Sequence, residues 1–330
     1  MADCLIGAGS NIGDRAAQLT RAVDALRDHP QVKVRAVSRW LETPPVGGPT
    51  GQGPFLNGAI RLETSLAPRQ LLDLLHQIER QLGRMEHTRW EARLIDLDIL
   101  LYDREQWHEP DFQIPHAWMG VRSFVLIPAA EIASEMIDPN TGWNVGQLLR
   151  HLQTTHPYAA VAGAAGPRKI EMLQRVAQGD PKIRMITAET GRGAPRAGGS
   201  RQQRVEFLRW CGSILRHDTW PNSHAWTVSD FWLEEGLCAE PGMLADHDVQ
   251  QVYEEWERVR SQVVTPRFLV VLRDDGPPES APSSDRVATE HEALDRQSRQ
   301  AHVGPVLRWT MSDPQRAAAD LLAALQAAAI

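Results

Sequence analysis

The sequence predicts two domains of different class: an α+β domain with a mostly antiparallel sheet over residues 1–156, then an α/β domain with a parallel sheet over 157–330. Three observations carry this. The chain has 330 residues with ordinary Gly and Pro content, long enough for two cores. In its first half, alternating apolar/polar runs interleave with amphipathic helical runs, the pattern of a half-buried antiparallel sheet covered by helices. In its second half the strand candidates, "YAAVAG" and "PRFLVVL", are continuous apolar runs, as in parallel strands buried on both faces.

Element by element, "DCLIGAGSNIGDR" reads as a strand entering a Gly/Ser/Asn loop, and "RAAQLTRAVDALRDH" as a helix. "VKVRAVSRWLET" alternates as one half-buried strand, "PPVGGPTGQGP" is a long Pro/Gly loop, and "FLNGAIRLETS" is another strand. "APRQLLDLLHQIERQLGR" is a strongly amphipathic helix, "RLIDLDILLYD" the next strand, and "IPHAWMGVRSFVLIPAAEI" closes this half. After "YAAVAG" come "AAGPRK" and the helix-like "IEMLQRVAQ", then "HAWTVSDFWLEE", the helical "DHDVQQVYEEWERVRSQV", and "TPRFLVVLRDDG". "GPPESAPSSD" is a Pro/Ser-rich exposed loop. "GPVLRWTM" and "DPQRAAADLLAALQAAA" end the chain as strand and helix. No internal repeat is visible.

Charge and cysteine usage narrow the function classes. A formal net charge of -7 advertises no broad basic surface for nucleic acid or anionic membrane, so phosphate chemistry has to rely on local arginines. Cys4, Cys211 and Cys238 are odd in number and widely spaced, which argues against a disulfide framework or a zinc site and for a reducing compartment. With no signal-like N-terminus and no apolar run of spanning length, the expectation is a cytoplasmic protein.

"RWEARLIDLDILLYD" carries the chemistry. Asp96 and Asp98 stand two apart in an apolar run, with Arg84, Arg89 and Arg93 just upstream. On a strand, i and i+2 project from one face about 6.5 to 7 Å apart, a spacing from which two carboxylates can each reach a magnesium ion of a shared phosphate clamp. A bare DxD is more often a pair of structural acids satisfied by arginines. The flanking Leu97, Ile99, Leu100 and Leu101 raise the compensation such acids need, and metal with phosphate-binding arginines supplies it.

The same stretch resembles the signature of the 6-hydroxymethyl-7,8-dihydropterin pyrophosphokinase family, RW-G-P-R-x-(I/L)-D-(I/L)-D-(I/L). Four further blocks agree in order: "GAGSNIGDR", "ETPPVGGPTGQGPFLNGA", "LLHQIERQLGR" and "IPHAWMGVRSFVLIPAAEIA". The resemblance covers roughly residues 1–155. It implies a ferredoxin-like domain and transfer of an intact pyrophosphoryl group from ATP, as co-substrate, to the pterin 6-hydroxymethyl oxygen, with release of AMP. Asp96 and Asp98 would hold two Mg2+ ions, and Arg84 and Arg93 would steady the phosphates, Arg93 nearest the transferred group. His116 and Arg122 would contact the triphosphate; Glu79 and Ile99 would serve the nucleotide, and Trp90 would belong to a loop that seals the site. Phe55 and Phe124 would sandwich the pterin, with Asn57, Thr43, Pro44 and Val46 at its edge. Taken alone, Phe55 and Phe124 read as core aromatics and Asn57 as a strand-edge residue. The departures are Glu91-Ala92 in place of Gly-Pro, Glu86 where a basic residue is common, and Ala117 after the histidine.

In the second half, "VAGAAGPRKIEML" has the outline of a phosphate loop. Gly163 and Lys169 are in register with G-x-x-x-x-G-K-[ST], but Arg168 replaces the second glycine and Ile170 the hydroxyl. The segments "WTVSDFWLEEGLCAE", "VYEEWERV" and "TPRFLVVLRDD" resemble the deoxynucleoside kinase family, which implies a P-loop-kinase-like frame. "HAWT" stands where an acidic-Arg-Ser triplet is expected, and no arginine-rich lid follows "VVLRDD". The expectation is a kinase-like domain without catalysis that pairs the chain into a homodimer, while the substrates remain small molecules. Two alternatives stay open: a bifunctional enzyme that also phosphorylates deoxynucleosides, and a non-catalytic scaffold.

Overall fold

Strand β1 (Ala2–Ser10) runs antiparallel to β4 (Phe55–Thr64) on one side and β5 (Asp96–Tyr102) on the other. It is therefore the middle of the first sheet, and buried residues occupy most of its length. The computed structural model of the chain describes every residue except 50, 85–91, 110, 164–165, 189–194, 196, 222, 224, 239–243, 275–291, 295, 299–303 and 330. The chain divides into two compact units, Met1–Gln153 with Gln326–Ile330, and Thr154–Leu325.

In the first unit, helix α1 (Arg15–Asp28) follows β1 and starts at Asp14, whose carboxylate accepts from the Ala17 N–H, a side-chain N-cap. Strand β2 (Val32–Val37) leads to β3 (Leu41–Thr43) and β4, α2 (Pro68–Gln81) leads to β5, and a small hairpin of β6 (Trp107–Glu109) and β7 (Phe112–Ile114) precedes α3 (Ser123–Ala133) and α4 (Val145–Thr154). The sheet order β2-β4-β1-β5, from a β-α-β-β-α-β succession, is the ferredoxin-like arrangement. Leu19, Val23 and Leu26 of α1 and Leu71, Leu75 and Ile78 of α2 bury their apolar stripes on one face of the sheet with Cys4, Ile6, Ile60 and Leu62.

"VKVRAVSRWLET" is two strands, not one. The chain leaves β2 after Val37 and resumes at Leu41 on the far part of β4. Gly58 explains where Trp40 goes: a β-carbon there would lie 2.3 Å from the Trp40 ring, so that face of β4 is open only because position 58 lacks a side chain. β5 has its own irregularity. Ile6 pairs with Ile99 and Leu5 with Leu101, so Leu100 is an extra residue and the facing pattern shifts by one. Leu97 and Ile99 face the helical core before this bulge and Tyr102 after it, while Asp96, Asp98 and Leu100 face the opposite side.

The second unit is built on a parallel sheet of β8 (Tyr158–Gly163), β9 (Arg184–Ile186), β10 (Thr227–Ser229), β11 (Phe268–Asp274) and β12 (Val306–Met311). The order is β12-β11-β8-β10-β9. Central β8 is small and apolar, with Ala159 to Ala162 fully buried, as a strand covered on both faces must be. Among the described residues its helices include α5 (Pro167–Gly179), α6 (Arg201–Ile214) and α7 (Asp246–Arg260), and α8 (Pro314–Ala327) belongs to it as far as Leu325. Phe207, Leu208 and Cys211 of α6 and Val252 and Val259 of α7 pack with Tyr158, Trp232, Leu269 and Val271 in one core. Among the described residues no helix is long and apolar enough to cross a membrane.

Candidate functional site

The face of the first sheet opposite α1 and α2 carries a cavity, and glycines make room for it. Gly7, Gly9 and Gly58 line it; a β-carbon at Gly9 would stand 3.0 Å from the Asn57 amide oxygen, and one at Gly7 would stand 3.2 Å from Leu100. Side chains on that stretch of β1 would fill the floor. Asp96 lies opposite Gly9 and Asp98 opposite Gly7, so the two carboxylates project past bare backbone into the cavity.

The two acids are held differently. Asp96 accepts from Arg84 Nη1 at 2.8 Å and from Arg93 Nη1 at 2.5 Å, and its side chain is 21% exposed. Asp98 is 42% exposed, and Nε2 of the His116 ring lies 3.9 Å from its Oδ2. Nδ1 of His116 accepts from the Trp118 N–H at 3.1 Å, which leaves Nε2 as the protonated nitrogen directed to Asp98. Burial, reinforced by the Arg122 guanidinium, lowers the His116 pKa, so this ring is neutral at pH 7.

Arg93 is fixed through its backbone. Its N–H donates to Asn11 Oδ1 at 2.7 Å, and its carbonyl accepts from Asn11 N at 3.1 Å. The end of β1 thus sets where the guanidinium leaves the chain. Asn11 also donates to Gln52 at 3.2 Å, which ties the Pro/Gly loop to the same corner. Glu79 turns away from the cavity. Its side chain is 3% exposed, it ion-pairs with Arg84, and it accepts from the Leu97 N–H at 2.7 Å. Burial pushes its pKa up to about 7, against the pull of Arg84.

At the other end of the cavity are Phe55 and Asn57 at the start of β4, Thr43 at the end of β3, Pro44 and Val46 beyond it, and Phe124 in the first turn of α3. Asn57 Nδ2 donates to Thr43 Oγ1 at 2.8 Å, which orients the amide and presents Oδ1 near bare Gly9. The Arg122 guanidinium lies 5.8 Å from the Phe124 ring centre and 5.4 Å from that of Trp118, within cation–π range.

Of the residues singled out from sequence, Thr43, Pro44, Val46, Phe55, Asn57, Arg93, Asp96, Asp98, Arg122 and Phe124 therefore line one cavity. Arg84 reaches it through Asp96, and His116 stands behind Asp98. Glu79 and Ile99, expected to serve the nucleotide, are buried off the lining: Glu79 is spent on Arg84 and Leu97, and Ile99 packs in the helical core. Trp90, Arg89, Glu86 and Glu91 lie outside the described residues. Sequence reasoning missed Gly7, Gly9, Gly58, Asn11, Leu100 and Trp118; the G-x-G of β1 was the one local signal, since alternate glycines on a strand empty one face.

Residues 5–134 match the model of the 7,8-dihydro-6-hydroxymethylpterin-pyrophosphokinase family. The chain is similar to three curated proteins named 2-amino-4-hydroxy-6-hydroxymethyldihydropteridine pyrophosphokinase. That of Methylorubrum extorquens is 42% identical over 137 residues, which is 42% of this chain and 86% of that protein. That of Bacillus subtilis is 47% identical over 131 residues, 40% of this chain and 78% of that protein. That of Pseudomonas aeruginosa is 35% identical over 161 residues, 49% of this chain and 96% of that protein.

Proposed function

The chain belongs to the 7,8-dihydro-6-hydroxymethylpterin-pyrophosphokinase family, and from that premise we propose how its first unit transfers pyrophosphate from ATP to 6-hydroxymethyl-7,8-dihydropterin in folate biosynthesis. One observation carries the assignment of the site: a single cavity joins two carboxylates on one strand face to two phenylalanines and an oriented amide. An anion-handling end and a flat-ring end in one chamber suit a substrate pair of polyphosphate and pterin.

At the ring end, Phe55 and Phe124 stack on the bicycle, and the Asn57 amide, held by Thr43, pairs with its polar edge. Thr43, Pro44 and Val46 supply the rim. At the anionic end the donor set is two hard carboxylate oxygens, without a third His, Cys, Asp or Glu forming a metal-binding group among the described residues. That set fits magnesium, which is usually held by one or two carboxylates and completed by phosphate and water. Asp96 and Asp98 would hold two such ions, which when bound neutralise charge on the ATP phosphates. In this reading Arg93, whose backbone is fixed by Asn11, stabilises the transferring group and Arg122 holds the triphosphate. The hydroxymethyl oxygen attacks the β-phosphorus and gives up its proton to solvent, the bond from that phosphorus to the α-phosphate oxygen breaks, and AMP leaves. The protein's own work is alignment and charge compensation.

For the second unit, the parallel order with β8 in the middle supports a P-loop-kinase-like frame. Its lysine is diverted. Lys169 is 7% exposed and donates to the carbonyls of Gly163 at 3.0 Å and Asp230 at 2.6 Å, so it is committed to tying α5 to the ends of β8 and β10. We read this unit as a kinase-like fold without phosphotransfer.

The deciding experiment is AMP release with ATP, magnesium and 6-hydroxymethyl-7,8-dihydropterin. Stoichiometric AMP and pterin diphosphate are expected; AMP formation independent of the pterin would overturn the assignment.

A further inference from the structure

One wall of the cavity comes from far outside residues 5–134. Ala327 is part of the same lining as Phe124 and Val46, and Gln326–Ile330 belong to the first unit. Two anchors hold the segment. Ser123 Oγ lies 2.9 Å from the Ala327 carbonyl and 3.0 Å from the Ala329 carbonyl, so its one proton serves both. On the other side the Gly47 N–H donates to Gln326 Oε1 at 3.4 Å. Ser123 directly precedes Phe124, and Gly47 directly follows Val46, so each anchor sits one residue from a side chain assigned to the pterin. Ala327 is 2% exposed and contributes only a methyl group, which forms a wall without filling the chamber.

The physical consequence lies in preorganisation. Gly47 and Gly48 both have positive φ, 68° and 76°, in a Pro/Gly loop whose freedom would be lost when a ligand closes on it. A loop already tied loses less entropy on binding. We infer that Gln326–Ala329 is a positioning segment for the pterin: it holds the Val46–Gly47 turn and the start of α3 at their binding separation, and Ala327 limits the width of the ring system admitted. The inference rests on the pterin reading of the cavity.

The test uses the 330-residue chain with the double substitution Ser123→Ala and Gln326→Ala, and separately Ala327→Phe. Calorimetric titrations are run with 6-hydroxymethyl pterin and with a non-hydrolysable ATP analogue. The double variant is expected to weaken pterin binding about threefold to tenfold and Ala327→Phe more than about tenfold, with ATP-analogue affinity held within about twofold. Pterin affinity unchanged in the double variant overturns the inference, whether or not Ala327→Phe folds. Parallel loss of both ligands also overturns it, because that is what general unfolding of the site would give. A wild-type chain that binds the ATP analogue and no pterin would instead remove the reading of the cavity on which the inference stands.

Discussion

Asp96 and Asp98 are two residues apart on one strand, yet their settings predict different failures. Asp96 is gripped by Arg84 and Arg93, while Asp98 stands half open in the cavity with a neutral His116 behind it. Asp98→Ala is expected to abolish AMP release and to leave the melting temperature within about 2 °C of wild type, because it removes little protein bonding. Asp96→Ala is expected to abolish release and also to lower the melting temperature, since Arg84 and Arg93 each lose a carboxylate acceptor. Equal melting of the two variants would contradict this division of roles. Arg93→Ala is expected to lower kcat about 100-fold or more while moving the pterin KM little; a change confined to KM would take Arg93 away from the transferring group. Phe124→Ala should do the reverse, weakening pterin binding by about 1–3 kcal/mol through lost stacking and burial, which calorimetry reads directly.

At the scale of elements, β5 shows what could and could not be read from the chain. The alternation of "LIDLD" placed both acids on one face, and that was legible because strand geometry is local. The extra residue at Leu100 was not, since a bulge is defined by the partner strand, here β1. The setting of Glu79 depends on distant partners in the same way: expected from the resemblance to serve the nucleotide, it is buried against Arg84 and the Leu97 N–H. Break-up of "VKVRAVSRWLET" likewise depends on a distant vacancy at Gly58. The β8–α5 connection yields a prediction of its own. Gly163 has φ +76, and a β-carbon there would stand 2.5 Å from the Leu272 carbonyl oxygen. Gly163→Ala combines a left-handed backbone with overpacking, so a loss of about 2–4 kcal/mol is expected in urea unfolding of the second unit; a loss under about 1 kcal/mol would mean that the strand can shift freely.

Over the whole molecule, the two fold classes were legible because each rests on a period: alternation in the first half, unbroken apolar runs in the second. The fate of the phosphate-loop outline was legible only in part. Arg168 and Ile170 were visible as substitutions, whereas the inward turn of Lys169 depends on Asp230 and Glu235, more than 60 residues further along. Lys169 donates to two backbone carbonyls, its pKa is lowered by burial, and Glu235 beside it accepts from the N–H groups of Gly163 and Trp232. To extend to a bound phosphate, a lysine so used would have to give up two carbonyls and its place beside Glu235, which would keep only its two N–H donors. Two outcomes follow for the 330-residue chain. Incubated with ATP, magnesium and the four deoxynucleosides, it should form no deoxynucleoside monophosphate. Lys169→Ala should destabilise the second unit by about 3 kcal/mol or more, and AMP release by the first unit should persist below the new melting point. Deoxynucleoside phosphorylation that disappears in Lys169→Ala would show that the lysine swings out to work as a phosphate ligand, and the reading of this connection as a closed structural joint would then be wrong.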